Sequence, residues 1–172
     1  KILITAVVLA LAALPLFSAS AKEINDKAGT TAFSFLKLGV GAKAVAMAGA
    51  FTAVADDPST LHYNPAGTAY LEKRQLLAGY HNYVLDIQSG FIAHTRPLTD
   101  KYAIGAYIDY LNFGNFTKTN ASGETIGEFS GGDFLIGFNF AAKIYPGLAT
   151  GINIKYMHES ADGYGSDAIA AD

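Results

Sequence analysis

Three stretches in the second half of the sequence alternate between two kinds of side chain, and this alternation restricts the fold more than any other feature. Residues 102–111, 134–145 and 148–157 carry mostly large apolar side chains at even positions and smaller or polar ones at most odd positions. A period of two is typical of a β-strand whose two faces meet different surroundings. A weaker version runs through residues 86–96. The chain is therefore predicted to be all-β from residue 75 onward.

The two faces of these strands differ in a way that suits a membrane. One face carries Tyr102, Ile104, Ile108, Phe134, Ile136, Phe138, Phe140, Ile152 and Ile154. The other carries Asp109, Asn139, Lys143, Asn153 and Lys155, with glycine and alanine between them. About ten residues is the length of a tilted strand that crosses a bilayer. We therefore predict a transmembrane antiparallel β-barrel whose first set faces lipid and whose second set faces a wet lumen.

A soluble, secreted β-sandwich with a binding role is the alternative from another class. Its outward face would normally carry Lys, Glu and Thr, whereas glycine and alanine suit a crowded interior. The connections favour the barrel, since residues 98–101 and 145–147 are short joins and residues 112–132 and 159–166 are longer and polar. Periplasmic turns and extracellular loops alternate in this way. Five strands and the start of a sixth, at residues 167–172, do not close a barrel, so we expect this to be its N-terminal part.

The N-terminus has the features of an export signal. Lys1 precedes an apolar run that ends at Ser18-Ala19-Ser20-Ala21. A charged start, an apolar middle and a small-residue cleavage site are typical of a secretory signal peptide, and an uncleaved anchor is the alternative. The expected organisation is a signal at residues 1–21, a segment with short helical turns at 22–74 and barrel strands at 75–172, in a bacterial outer membrane.

Residues 39–70 form a segment of small side chains that cannot build a core of their own. Alanine and glycine dominate its first half, so it is expected to lie inside an enclosure. In its second half, Asp57 precedes Pro58 and Asn64 precedes Pro65. A capping side chain followed by proline at the first helical position predicts two short helical turns. Gly67 then allows the chain to turn away.

Two sharper hypotheses compete with an enclosed segment for this region. Residues 33–44 fit a strand followed by G-x-G-x-x-A, a dinucleotide-binding pattern, but no second β-α unit follows. Asp56, Asp57 and His62 are close in sequence, yet one histidine with two carboxylates on an irregular segment is not a typical ligand set. We expect neither a metal nor a cofactor.

Composition excludes other classes of function. The formal net charge of −3 disfavours nucleic acid, which requires a basic face. The chain has no Cys, and its four His have no Ser or Cys nucleophile arranged beside them. No catalytic constellation is visible, so we expect a protein that is not an enzyme.

The stretch from Gly39 to Leu71 resembles the N-terminal signature of the PorV/PorQ family, relatives of the FadL-type outer-membrane transporters. The matching stretches are FLKLGVGAKA at 35–44, GAFTAVADD at 49–57 and YNPAG at 63–67. Lys43 stands where Arg is common, and Ala48 stands where Gly is common.

The resemblance implies a 14-stranded barrel with the N-terminal segment, residues 22–74, inside its lumen as a plug. It marks as a plug or gate motif Gly39, Gly41, Gly49, Asp56, Asp57, Asn64, Pro65 and Gly67. It also implies one of two roles. PorV-like members bind the C-terminal domains of exported cargo in type IX protein secretion, together with other secretion components, whereas FadL relatives pass hydrophobic small molecules through the wall.

Overall fold

A computed structural model of the chain describes residues 31–172. The predicted signal at residues 1–21, with the following residues up to 30, lies outside the described residues. Across the described residues, no helix is long and apolar enough to cross a membrane.

Six antiparallel strands form one sheet in the described residues, in the order in which they occur along the chain. Their bounds are β1 Gln75–Asn82, β2 Gln88–Pro97, β3 Tyr102–Thr119, β4 Thr125–Tyr145, β5 Leu148–Ala161 and β6 Tyr164–Ala171. The all-β prediction is confirmed. Within residues 31–172 the sheet is open, because β1 pairs only with β2 and β6 pairs only with β5.

Alternation along β3, β4 and β5 becomes two faces that differ in exposure. Ile104, Phe140 and Ile152 are neighbours across the three strands and share one face. We call this the exposed face, and the opposite one the covered face. Ala103, Ala141 and Asn153 are buried on the covered face. Direct cross-strand partners always lie on the same side of a sheet, so the register carries each face across all three strands.

The orientation of β2 is the reverse of what its weak pattern indicates. The more apolar set, Phe91, Ala93 and Thr95, is buried on the covered face. Ile92, His94 and Arg96 lie on the exposed face. The register with β3 forces this arrangement, since Ile92 pairs with Ile108 and Phe91 pairs with Asp109.

The long polar connections predicted at residues 112–132 and 159–166 are wrong in part. Most of the first is a continuation of β3 and β4 that turns at residues 120–124. The second is a tight turn at Asp162 and Gly163, which both have positive φ. Two residues with positive φ match the twist of a two-residue hairpin. Polar strand ends that extend beyond the apolar part of the sheet resemble loops in sequence.

The chain before the sheet consists of short helical turns. These are a 3₁₀ helix at Ser34–Lys37, α1 at Ala42–Ala46, α2 at Thr60–Tyr63 and a 3₁₀ helix at Pro65–Tyr70, with a further 3₁₀ turn at Val84–Asp86 between β1 and β2. The dinucleotide-binding hypothesis needs a strand before Gly39. The chain there is a 3₁₀ helix and the sheet is antiparallel, so that hypothesis fails.

The main core lies between these turns and the covered face. Phe35, Val40 and Leu61 from the turns pack with side chains from the strands, namely Phe91, Ala93, Tyr107, Leu111, Leu135 and Met157. Residues 39–70, named here the covering segment, thus obtain from the sheet the hydrophobic partners that their small side chains cannot supply.

Candidate functional site

The covering segment lies across the middle of the covered face. The 3₁₀ helix Pro65–Tyr70 contacts β3, β4 and β5, and α2 contacts β3. Both elements come from the second half of the segment, where the two capped turns were predicted. The candidate site is this contact between the segment and the sheet.

A pair of asparagines on neighbouring strands holds the backbone of the segment. Asn139 of β4 and Asn153 of β5 are cross-strand partners, and Asn139 Nδ2 donates to Asn153 Oδ1 at 2.8 Å. Asn153 Nδ2 donates to the Leu61 carbonyl at 2.7 Å, and Asn139 Nδ2 lies 3.2 Å from the Pro65 carbonyl. The segment is therefore held by bonds to its main chain, which do not depend on its small side chains.

Two glycines on the covered face allow the segment to lie close to the sheet, because they have no side chain. A β-carbon at Gly151 would lie 2.4 Å from the carbonyl carbon of Pro65, and one at Gly105 would lie 2.5 Å from Leu61 Cδ2. Contacts below 3 Å force a shift of the neighbouring atoms. Gly151 is thus required for the docked main chain of the segment, whereas a side chain at Gly105 would force the buried Leu61 side chain to shift.

The second predicted turn forms as the sequence indicates, and the first forms with a shift. Asn64 caps the 3₁₀ helix that starts at Pro65, since its Oδ1 accepts from Ala66 N at 3.1 Å. Its Nδ2 donates to the Thr52 carbonyl at 2.8 Å and so ties the two halves of the segment together. The Asp57 carboxylate accepts a hydrogen bond from Ser59 N at 2.8 Å. Helix α2 begins at Thr60, two residues after Pro58, so Pro58 is not its first residue.

The glycines of the predicted plug motif serve different purposes. Gly41 has a φ of +75°, and a β-carbon there would lie 2.8 Å from Ser59 Cβ. Gly67 is packed so closely that a β-carbon would lie 2.2 Å from Thr60 Oγ1. Gly39 lies close to Val45 and Tyr63, whereas Gly49 has a φ of +80° and open space around it.

Asp56, Asp57 and His62 each have a different set of partners. Asp56 forms an ion pair with Lys43 on the exposed side of the segment. Asp57 Oδ1 accepts a hydrogen bond from Ser59 Oγ, and His62 lies near Lys155 and Asp172. Burial, with a smaller effect of Lys155, lowers the pKa of His62 to about 4, and Asp172 opposes the shift. His62 is therefore neutral near pH 7.

The residues predicted to face the lumen all lie on the covered face, in two environments. Asp109, Asn139 and Asn153 are at most 5% exposed. Lys155 forms an ion pair with Asp172, and Lys143 Nζ lies 5.6 Å from the centroid of the Tyr70 ring. The covering segment shields the two asparagines from water.

The residues predicted to face lipid all lie on the exposed face. Phe138 is 63% exposed and Ile154 is 56% exposed, although each has a large apolar side chain. The other members are more than a third exposed (Tyr102, Ile104, Ile108, Phe140 and Ile152) or half-buried (Phe134 and Ile136). An apolar surface of this extent points to a partner that covers it.

Sequence reasoning missed two residues of the site. The Tyr63 hydroxyl donates to the Val40 carbonyl at 3.0 Å and lies 3.1 Å from Val40 N. It joins the start of the segment to α2, and its ring packs edge-on against Phe51 with 5.6 Å between centroids. In the sequence, Gly151 is only one of several small residues at odd positions of the alternating stretches. Neither pairing leaves a local signal, since each joins residues far apart in sequence.

Comparison with known proteins adds a family to this geometry. No curated protein matches the chain. A family model described as "Uncharacterised protein family (UPF0164)" matches residues 7–170, which is nearly the whole sequence. The chain thus belongs to the UPF0164 family of uncharacterised proteins.

Proposed function

We propose that the sheet is part of an outer-membrane β-barrel, with the exposed face toward lipid and the covering segment in the lumen. One observation supports this above all: the exposed face of β3, β4 and β5 forms a continuous apolar belt. Its members are Tyr102 to Tyr110, Phe134 to Ile144 and Leu148 to Tyr156 at even positions. None of them is charged, and Thr150 is the one polar member apart from the tyrosines.

The length of the belt fits a bilayer. On β4 it runs from Phe134 to Ile144, which is about 34 Å along a strand at about 3.4 Å per residue. A tilt of about 35–45° reduces this to a height of about 24–28 Å, close to the apolar band of about 25 Å in known barrels.

Aromatic side chains lie at both ends of the belt. Tyr110, Phe134 and Tyr156 lie at the end near the β3–β4 hairpin, and Tyr102 and Tyr145 lie at the other. Aromatic rings at two levels are typical of the two membrane interfaces. The belt does not continue onto β2, whose exposed face carries the polar side chains of His94 and Arg96. Arg96 pairs with Ile104 near one end, from which a long side chain reaches the interface.

Closure of the barrel is the second part of the proposal. In lipid, the unpaired backbone groups along β1 and β6 would each cost several kcal/mol, so further strands must pair with them. The family resemblance supplies the expected number of 14 strands.

The role we propose is that of a docking barrel, which binds the C-terminal domains of exported cargo in type IX-like secretion. Its support is the resemblance in residues 35–67, together with a segment held over the covered face by a few main-chain bonds. A segment held in this way suits a conditional gate. Passive transport of hydrophobic small molecules is the alternative role, and a soluble β-sandwich is the alternative architecture.

A matched pair of substitutions tests the architecture. Ile154 and Ile126 are 56% and 58% exposed, but only Ile154 lies in the belt. Ile154→Arg should lower the free energy of unfolding by about 2–4 kcal/mol in bilayers, whereas Ile126→Arg should have little effect. Equal small effects of the two, in a protein that stays soluble without detergent, would identify the sandwich.

The role is tested by two assays on the full-length protein. Cargo docking predicts co-purification with proteins through their C-terminal domains, and Asn153→Ala should change cargo release while the barrel stays folded. Uptake of a labelled fatty acid without cargo binding would instead favour the FadL-like role.

A further inference from the structure

A polar cleft of 660 Å³ opens beyond one end of the apolar belt. Residues from β2 to β5 and the turn before β2 line it. The register explains its position. Gln88, Asn112, Gly132 and Ser160 are neighbours in one cross-strand row, and the next row on the same face contains Tyr110, Phe134 and His158. The cleft therefore begins where the aromatic end of the belt gives way to polar side chains.

Glycines and a bulge form the depression. The pairing of β3 with β4 shifts between Asn112 and Asn115, and Gly114 there has a φ of +75°. Gly131 and Gly132 lie opposite on β4 and have no side chains to fill the space. Its volume is within the range of small-molecule sites, about 300–1,000 Å³.

The lining selects the chemistry of a ligand. Five of its thirteen lining residues carry an amide or a hydroxyl, namely Gln88, Asn112, Asn115, Ser130 and Ser160. Amides and hydroxyls both donate and accept hydrogen bonds. No Lys or Arg is among the lining residues that the structure describes, and Asp86 and Asp133 are acidic, so the carboxylates would accept hydrogen bonds from hydroxyl groups. A phosphate group would find no cation there, whereas an uncharged polyhydroxyl ligand would find partners of both kinds.

An aromatic surface lies at the edge of the cleft beside these polar groups. The Phe134 ring packs against His158 at 5.4 Å and against Tyr156 at 5.8 Å between centroids. His158 Nδ1 lies 2.8 Å from Asp167 Oδ1, which fixes its ring. A fixed apolar ring next to hydrogen-bonding groups suits a hexose, since one face of the sugar ring carries C–H bonds and its rim carries hydroxyls.

We infer that this cleft binds an uncharged hexose, presented as the headgroup of a glycolipid in the leaflet that meets the β3–β4 hairpin. The sugar chemistry follows from the lining alone. The lipid source rests on the proposed function, because the belt would then place acyl chains directly below the cleft.

The test uses the full-length protein in nanodiscs, with monogalactosyl diacylglycerol, diacylglycerol and phosphatidylglycerol as lipid probes and methyl galactoside as the free sugar. Lipid binding is measured by native mass spectrometry and sugar binding by calorimetry.

Gln88→Ala combined with Asn115→Ala should weaken binding of the galactolipid by about tenfold, as expected for the loss of two hydrogen bonds. Gln75→Ala, at the far end of the sheet, is the matched control and should change nothing. Phe134→Leu keeps the belt apolar and should weaken galactolipid binding but not diacylglycerol binding.

Preference for the galactolipid over both other lipids, lost in the cleft variants, supports the inference and its lipid source. Binding of methyl galactoside with equal affinity supports the sugar site and assigns it to free sugar. Equal binding of all three lipids, or no loss in the cleft variants, overturns the inference. That result leaves the barrel proposal standing if Ile154→Arg and Ile126→Arg still differ, so the two failures are distinguishable.

Discussion

Asn139 and Asn153 face each other across β4 and β5, and Asn139 Nδ2 donates to Asn153 Oδ1 at 2.8 Å beneath the covering segment. This pair has a consequence for the segment because Asn153 also donates to the Leu61 carbonyl. A side chain on the wall of the sheet thus determines where the main chain of the segment lies.

Removal of the second asparagine should loosen the segment. Asn153→Ala leaves the buried Leu61 carbonyl without this donor, which costs about 1–3 kcal/mol. We expect faster hydrogen exchange in residues 59–70 with little change in the strands. Asn82→Ala, at the exposed end of β1, is the control and should leave exchange unchanged. Uniform destabilisation of sheet and segment together would contradict a specific role in docking.

A single methyl group should displace the segment from the sheet. In Gly151→Ala the added carbon would lie 2.4 Å from Pro65, so either the segment or β5 must shift. We expect residues 60–70 to become sensitive to protease in the folded protein. Gly79→Ala is the matched control, since a β-carbon there meets nothing within 4 Å. Equal protease resistance of the two variants would show that the close approach is not maintained in solution.

A substitution at Ala48 should stabilise the protein. Ala48 has a φ of +52°, a left-handed conformation that costs a non-glycine residue about 1–2 kcal/mol. Ala48→Gly should therefore raise the free energy of unfolding by about 1 kcal/mol, measured in urea. Ala46→Gly, two residues earlier in α1, should lower it by about the same amount. An unchanged or lowered stability of Ala48→Gly would mean that the turn after α1 differs from the one described.

The covering segment should bind less tightly in acid. His62 has a folded pKa of about 4 and an unfolded value of about 6.5, so the open state binds more protons between these pH values. The closed state is thus fully favoured above pH 6.5 and loses stability as the pH falls toward 4. The open fraction should rise by up to about tenfold per pH unit in this window. Hydrogen exchange at pH 7 and pH 5 measures it, and His62→Gln should remove the difference. A persistent difference in His62→Gln would assign the pH dependence to other groups.

The parts of the fold that the sequence predicts are those with a local pattern. Phe138 and Ile152 follow the period of two, and in the structure they share one face of the sheet. Asn64 followed by Pro65 is a local capping signal, and in the structure Asn64 caps the 3₁₀ helix. The orientation of β2 was not predictable, because Phe91 and Ile92 are both apolar and only the register with β3 separates them.

Contacts between residues far apart in the sequence were also not predictable from it. The bond from Asn153 to Leu61 joins residues 92 positions apart, and no periodicity records it. The extended hairpin at the end of β3 and β4 resembles a loop in sequence because its strands are polar, although Phe116 and Phe129 stack across it with 5.3 Å between ring centroids.

The proposed barrel depends most on contact between the apolar belt and lipid. The chain has no Trp, so a substituted Trp reports its own surroundings. We would place Trp at Phe138, in the middle of the belt, or at Ile126, beyond its end, and measure quenching by lipids brominated in the middle of their acyl chains. If the belt contacts lipid, Phe138→Trp should be strongly quenched and Ile126→Trp should be little quenched. Absence of quenching at both positions, in a folded protein that needs no detergent, would contradict it.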